Sequence, residues 1–385
     1  MPLMRIPYTA PLPSPTVIPP TAANLTGAIE ALHNFLSATR HNDNSNGKAL
    51  ILSGAGISVA SGLADYRGTN GTYTLNKTYR PIYFHEFSAS HEARKRYWAR
   101  SYLGWTTLHR SKPNLAHYAV GQLGELGHVD QVVTQNVDSF HPKAHPSLKT
   151  LELHGYLRST VCLTCRSEYS RDAFQDDLSR MNPSWSAFLA EMLESGALST
   201  EDPAERRKLG LKTNPDGDVD VPGVEYGTFR YPPCPKCLAN TELNDQIQTT
   251  DDGAWATGST AGILKPAVIM FGESIPNQVK LDVEHAVDEA SRLLVLGSSL
   301  ATYSAWRLVK RAKEQGKAIA AVNQGGVRGE ENFFKDVPMG TDGAEGVRCA
   351  LPLEETLPAL VEALQSAQGR LRSERSFQPA PWARM

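Results

Sequence analysis

The sequence predicts an α/β fold: a doubly wound parallel sheet into which a smaller module is inserted. Three observations lead there. Apolar, strand-forming runs recur with helical stretches between them, at 49–53, 129–133, 268–271, 293–296 and 318–322, and alternating strand and helix builds a parallel sheet covered on both faces. Each run empties into a polar or glycine-bearing segment, where open parallel sheets bind ligands. The spacing between runs then jumps from about 133 to 268, which leaves room for a second module. With 385 residues and 42.1 kDa, the chain is long enough for about two domains of roughly 150 residues.

The first run, Ala49-Leu50-Ile51-Leu52-Ser53, ends in Gly54-Ala55-Gly56-Ile57-Ser58, and Asp65-Tyr66-Arg67 follows closely. Glycines at 54 and 56 let the backbone turn sharply out of a buried strand and approach a pyrophosphate, while N–H groups opening the next helix supply positive potential. The junction reads as a dinucleotide site of a Rossmann-like domain, with an ordinary glycine-rich strand-to-helix turn as the alternative for the loop taken alone. A nicotinamide dehydrogenase is excluded, because its fingerprint needs a third small residue and an acid about 20 residues on. Here position 59 is Val59, and no carboxylate lies between Asp65 and Glu86. Asp65 and Arg67 instead order a cofactor loop or contact phosphates and the nicotinamide ribose.

After the second run come Thr134-Gln135-Asn136-Val137-Asp138, and then Leu151-Glu152-Leu153-His154-Gly155. His154 ends a short apolar strand and precedes a glycine that admits a ligand. Its unperturbed pKa of about 6.5 suits it to take a proton near neutral pH. The later runs deliver Gly272-Glu273, Gly297-Ser298-Ser299 and Asn323-Gln324 to the same sheet edge. Ser298 and Ser299 are equally placed to cap the following helix, and Asn323 to shape a turn.

Within the gap lie Cys162-Leu163-Thr164-Cys165 and Cys234-Pro235-Lys236-Cys237. Two such knuckles offer four thiolates to a tetrahedral Zn²⁺, a closed set with a structural rather than catalytic role. Disulfides are the alternative, disfavoured without a secretory signal. Sixty-eight residues separate Cys165 from Cys234, far above the roughly 15–20 usual between paired knuckles, so the zinc module carries a large insertion. Its stretches 201–233 and 239–262 read as surface loops. Cys349 reads as a buried hydrophobe.

Domain boundaries follow. Residues 29–75, 114–156 and 263–366 form the Rossmann-like domain; 76–113 form a helical module and 157–262 the zinc-binding module. Residues 1–28 hold no acid, five Ser/Thr and seven prolines, and are expected to be disordered, as is the tail 367–385. The acid-free N-terminal composition hints at mitochondrial import to the matrix, with a cytoplasmic or nuclear location as the alternative. A net charge of −2, from 39 basic and 41 acidic residues, gives no global field for nucleic acid or an anionic membrane. No apolar run reaches the 18 residues that a membrane helix needs.

Taken in order, Gly54-Ala55-Gly56-Ile57-Ser58, Asp65-Tyr66-Arg67, Thr134-Gln135-Asn136-Val137-Asp138, His154-Gly155, the two cysteine pairs, and Lys265-Pro266 through Phe271-Gly272-Glu273 resemble a sirtuin over about Lys48–Leu364. Arg96-Tyr97-Trp98-Ala99-Arg100 with Gly104-Trp105, then Asn114-Leu115-Ala116-His117, further resemble the class II branch that includes mitochondrial lipoamidase-type enzymes. The resemblance implies an NAD-consuming lysine deacylase, in which NAD is a co-substrate. The acyl oxygen of a modified lysine displaces nicotinamide from C1′ of the ribose, and an O-alkylimidate forms. His154 matches the general base, and O-acyl-ADP-ribose and free lysine are the products. Asn136 and Asp138 correspond to the nicotinamide pocket, Gln135 to a group ordering the ribose, Gly297, Ser298 and Ser299 to phosphate and ribose contacts, and Asn323 to the adenosine ribose.

Val268, Phe271, Gly272 and Glu273 match the strand that pairs with an acylated-lysine peptide by strand addition. Tyr97 and Arg100 have the form of a clamp for dicarboxylic acyl groups, although a solvated helix face is the expected place of Arg94, Lys95, Arg96 and Arg100. Phe140-His141-Pro142-Lys143-Ala144-His145 departs from the family pattern, so local backbone beside the pocket is expected to differ. An ADP-ribosyltransferase and a non-catalytic NAD-binding sensor remain alternatives, and the sensor would lack a base at His154.

Overall fold

The computed structural model describes residues 5–6, 8–38, 47–76, 79–196, 198, 212–213, 218–221 and 223–376, with 371–376 described by backbone alone. In chain order its strands are β1 (Ala49–Ser53), β2 (Val129–Thr134), β3 (Lys149–Glu152), β4 (Gly155–Cys162), β5 (Glu168–Ser170), β6 (Lys212–Thr213), β7 (Val219–Asp220), β8 (Leu264–Val268), β9 (Arg292–Leu296), β10 (Ala318–Val322) and β11 (Gly346–Cys349). Six of them make one sheet in the order β11-β10-β9-β1-β2-β3, with every neighbouring pair parallel. Chain order runs outward to one side from β1 and to the other from β9. The switch point of this doubly wound sheet therefore lies between β1 and β9, where a crevice opens at the carboxyl ends.

The continuous apolar composition of β1, β9 and β10 follows from coverage on both faces. On one side helices Leu25–Ser37, Leu115–Glu125 and Leu353–Ser376 bring Leu32, Phe35, Val120, Leu357 and Leu360 against Ile51, Val132, Leu294 and Ala320. On the other, helices Asn277–Glu289 and Tyr303–Glu314 bring Val283, Val287, Leu308 and Val309 against Leu50, Leu52, Val133 and Val295.

The run at 268–271 is not a strand of this sheet. β8 ends at Val268 and lies antiparallel to β4 in a three-stranded sheet, β5-β4-β8, so the small module begins to share the chain after residue 263. An apolar run reports burial but not its partner: Val268 and Met270 pack into the small-lobe core, while Ile269 faces the other core. β11 escaped sequence reading because its centre is Arg348, a fully buried guanidinium whose Nε lies 3.1 Å from the Glu330 carboxylate.

The small lobe has its own core, built from the long helix His91–Arg110 (Trp98, Tyr102), two helices of the insertion, Arg171–Met181 and Pro183–Glu194 (Phe174, Trp185), and irregular chain around the four cysteines. The stretches read as surface loops contribute to it: Phe229, Tyr231 and Trp255 are buried, with Tyr231 and Trp255 stacked at 6.0 Å. Residues 201–211 of that stretch lie outside the described residues. The basic helix face is likewise not solvated throughout. Arg94 is buried, donating to Tyr231 Oη at 2.7 Å and to the Phe87 and Ser88 carbonyls at 2.9 Å, and Arg100 is buried against Asp218. Aromatic residues from the insertion cover this face, which no helical periodicity within 91–110 could reveal.

Both ends depart from expected disorder. The described part of 1–28 packs on the body, with Ile18 pairing with Arg348 and Asn24 capping helix Leu25–Ser37 by accepting from Gly27 N–H. At the other end the last helix continues through Ser376; residues 377–385 lie outside the described residues.

Candidate active site and metal centre

At the switch point the loops after β1 and β9 touch. Gly54 N–H donates to the Leu296 carbonyl at 3.0 Å and Gly56 N–H to the Gly297 carbonyl at 2.8 Å. A Cβ on Gly56 would sit 2.8 Å from the Gly297 carbonyl oxygen, and one on Gly297, whose φ is +58°, would sit 2.5 Å from Ile57 N. Glycine is thus required by contact between protein loops, as well as by any ligand that approaches them.

Above this contact lies a cavity of about 430 Å³. Of the residues singled out in the sequence, Gly54, Ala55, Gly56, Asp65, Tyr66, Arg67, Gln135, Asn136, His154, Gly297, Ser298, Ser299 and Asn323 all line it. Asp138 lies deeper, in an adjoining pocket shared with Asn136, Ala55 and Ser58. Asp65 accepts from Gly68 N–H at 2.9 Å, shaping the loop that carries Tyr66 and Arg67, and burial raises its pKa above the ordinary carboxylate value.

His154 occupies the turn between β3 and β4 and is 1% exposed. Its Nδ1 lies 3.1 Å from the Gln135 carbonyl oxygen and its Nε2 2.8 Å from Ser304 Oγ. A carbonyl can only accept, so Nδ1 carries the proton and Nε2 presents its lone pair. Burial, reinforced by the Arg5 charge, holds the imidazole well below its usual pKa. The ring is therefore neutral near pH 7 and competent to accept a proton at Nε2.

Gln135 joins the loops to this histidine. Its Nε2 donates to Ser53 O at 3.2 Å and Ser298 Oγ at 2.7 Å, and its Oε1 accepts from Thr302 Oγ1 at 3.1 Å. Ser298 is thereby occupied with Gln135 rather than with helix capping; Thr302 precedes helix Tyr303–Glu314. Asn136 Nδ2 donates to Gly54 O and Ser58 Oγ, both at 3.1 Å, and Ser58 Oγ donates to Asp138 Oδ2 at 2.7 Å. Asp138 Oδ1 accepts from Phe140 N–H at 2.9 Å, and burial pushes the carboxyl pKa up. Asn323 donates to Gly325 O at 2.8 Å, so it shapes a turn while lining the cavity.

A second, smaller pocket is lined by Tyr97, Arg100, Val268 and Phe271 together with Asp218. Arg100 Nη2 meets Asp218 Oδ2 at 2.9 Å. Gly272 has φ +79°. Glu273 turns inward: its Oε2 accepts from Met270 N–H at 2.9 Å and pairs with buried Lys265 at 3.3 Å. Its side chain fixes the bend after β8, leaving its backbone to face the groove.

Sequence reasoning missed Ser58, Ser304, Thr302 and Arg5. Ser58 stood inside the quoted glycine loop and could have been found there. Ser304 lies 150 residues from its partner and carries no local signal. Beside the unusual Phe140–His145 stretch, Ser139 sits at φ +61° ahead of the short helix Phe140–Ala144. His141 there shares hydrogen bonds with Ser53 Oγ at 2.8 Å and His145 at 2.9 Å.

The four cysteines converge as expected. Their sulfurs all lie within 4.8 Å of one another, with Cys162–Cys237 at 3.5 Å and Cys165–Cys234 at 3.7 Å. These separations exceed the roughly 2.05 Å of a disulfide and match the edge of a tetrahedron with Zn–S bonds of about 2.3 Å. The set fits a zinc ion, which would tie β4 to the short helix Pro235–Leu238. Cys349 is buried in the sheet core, as expected.

Two outcomes follow. Cys234→Ser should lower zinc content, measured by metal analysis, and lower the melting temperature; stoichiometric zinc in that variant contradicts the site. Burial depresses several histidines, among them His154 and His141 well below their ordinary value and His117 to about 3. Below about 6.5 the unfolded chain binds protons that the folded chain refuses, so stability is full above that pH and falls beneath it. At pH 5.5 His117 alone, held near 3, costs about 1.4 kcal/mol, and His154 and His141 act in the same direction. Urea unfolding at pH 7.5 and 5.5 measures this; equal stability at both contradicts neutral burial.

The comparisons with known proteins agree with this geometry. Residues 54–304 match the Sir2 family. A NAD-dependent protein deacylase, SIR4, of Batrachochytrium dendrobatidis is 38% identical over 74% of this chain and 84% of its own length. The mitochondrial NAD-dependent protein lipoamidase sirtuin-4 of Bos taurus is 32% identical over 82% of this chain and 83% of its own. Among solved structures, one described as Sir2 bound to acetylated peptide has a TM-score of 0.53 at 20% identity, covering 87% of this chain and 98% of that one; this likeness is one of fold. With a family match over most of its length, relatives of this similarity and the site assembled as described, the chain belongs to the Sir2 family.

Proposed function

We propose that this protein is an NAD-dependent protein-lysine deacylase that transfers the acyl group to ADP-ribose and releases nicotinamide. One observation carries the reading: a neutral, buried imidazole, its unprotonated Nε2 paired only with the Ser304 hydroxyl among the described residues, lines the same cavity as the touching glycine loops. The family match and the printed activities of the relatives support it. NAD, when bound, supplies an activated C1′–nicotinamide bond.

The chain's own groups divide the remaining work. The glycine loops and Ser299 would hold the phosphates, with Asn323 toward the adenosine ribose. Asn136 and Asp138, fixed through Ser58, would hold the carboxamide of the leaving group. His154 would take the proton of a ribose hydroxyl at Nε2 once the Ser304 hydroxyl turns away, while the Gln135 carbonyl stabilises the Nδ1–H side as the ring gains charge. An acylated lysine would enter between the lobes, its backbone pairing with 271–273 and its acyl chain directed toward Tyr97 and Arg100. Because Arg100 already faces Asp218, a dicarboxylic chain would bring a second carboxylate to one guanidinium, and the site favours uncharged acyl chains.

Incubation with NAD and peptides bearing acetyl, succinyl, methylglutaryl or lipoyl lysine should release nicotinamide and O-acyl-ADP-ribose in equal amounts, faster for the uncharged chains. NAD cleavage without deacylation would replace this reading with ADP-ribose transfer, and no turnover at all would leave a sensor. His154→Ala should keep NAD affinity and lose at least ~10²-fold in deacylation; unchanged turnover refutes its role as base.

A further inference from the structure

The N-terminal segment crosses the mouth of the site. Arg5 pairs in parallel with Phe271: its N–H donates to the Glu273 carbonyl at 3.3 Å, and its carbonyl accepts from Gly272 N–H at 3.0 Å. These are the backbone groups that an incoming acyl-lysine peptide would need. The Arg5 side chain runs inward and is 3% exposed. Its Nη1 donates to Ile269 O at 3.2 Å and its Nη2 to Tyr66 Oη at 2.9 Å, and its guanidinium lies 4.3 Å from the centre of the Phe271 ring. Arg5 borders the nucleotide cavity, the pocket of Asn136 and Asp138, and the pocket of Tyr97 and Arg100. A side chain at the meeting point of these three spaces stands where a modified lysine would deliver its acyl group.

The segment is fastened further along. The Tyr8 carbonyl accepts from Arg67 Nη2 at 2.6 Å, and its ring lies 4.4 Å from the Arg328 guanidinium. Leu12 lines the nucleotide cavity, and Pro13 packs so closely on Gly326 that a Cβ there would fall 1.8 Å from the Pro13 carbonyl oxygen. Thr16 N–H donates to Glu330 Oε1 at 2.9 Å, and Ile18 pairs with Arg348.

The geometry points to an intramolecular competitor: Arg5 fills the groove for the acyl-lysine peptide in place of the modified lysine, held there by residues 8–18. The inference rests on the deacylase reading for what that groove binds. Strand addition takes its affinity from main-chain bonds and tolerates many sequences, so the chain's own segment can serve as the added strand. A guanidinium has no acyl oxygen, so Arg5 occupies the position without reacting. Anchors at Thr16 and Ile18 keep the segment near the groove and its effective concentration high. A peptide then binds only the fraction of molecules whose groove is open, and its apparent affinity falls by that fraction.

The test compares the full chain, Arg5→Ala, and a chain lacking residues 1–7, which keeps the anchors from Tyr8 to Ile18. A fluorescent acetyl-lysine peptide is titrated by anisotropy in the presence of ADP-ribose, and deacylation is followed separately. Both variants should bind the peptide at least about fivefold more tightly and show a correspondingly lowered KM for it. Equal or weaker binding by either variant overturns the competitor. Tighter binding without turnover in any of the three chains would support the competitor and overturn the deacylase reading.

Discussion

Two backbone turns occupy the same space at the carboxyl ends of β1 and β9, and the remainder of the site is arranged around that contact. Gly56 N–H donates to the Gly297 carbonyl, and neither residue has room for a β-carbon. Parallel pairing of β1 with β9 brings Ser53 beside Leu296, so both chains leave the sheet at one level and must turn immediately. The floor of the cavity is consequently the backbone of two touching turns, with no β-carbon at Gly54, Gly56 or Gly297 to fill the space. Such a glycine floor lets a pyrophosphate approach closely.

From this floor, order passes to the chemistry through Gln135. Its side chain binds both loops and its carbonyl fixes the tautomer of His154. The position of the imidazole, the direction of its lone pair and the separation of the two turns are thus set by one residue at the end of β2. The same burial that keeps His154 neutral also raises the Asp138 carboxyl pKa, while Ser58 and the Phe140 N–H donate to its two oxygens. The small lobe contributes differently: its cysteine cluster and aromatic core hold β4 and β8, and β4 continues directly from the turn carrying His154. The lobe that closes the site thereby positions the base.

Much of this was legible in the sequence wherever function and spacing are local. The glycine turn, the Gln135-to-Asp138 segment, His154 and both cysteine pairs each announce themselves within a few residues, and the structure brings them together as expected. What stayed hidden depends on distant approach. Ser304 reaches His154 across the sheet, Trp255 and Tyr231 bury Arg94 from the far side of the small lobe, and Arg348 disguises a core strand because Glu330 neutralises it. The proline-rich N-terminal stretch reads as disorder since its partners, Gly272, Arg67 and Glu330, lie far along the chain. Val268–Phe271 showed its burial in its composition, but not the lobe boundary on which it lies.

The most direct test of the loop contact is NAD binding by Gly56→Ala, measured calorimetrically after circular dichroism has established that the variant is folded. The added methyl would have to displace the β9 turn, so the account predicts folded protein whose NAD affinity falls by at least about tenfold, the equivalent of about 1.4 kcal/mol. Folded Gly56→Ala protein that binds NAD as tightly as the parent chain would contradict the claim that this contact builds the site.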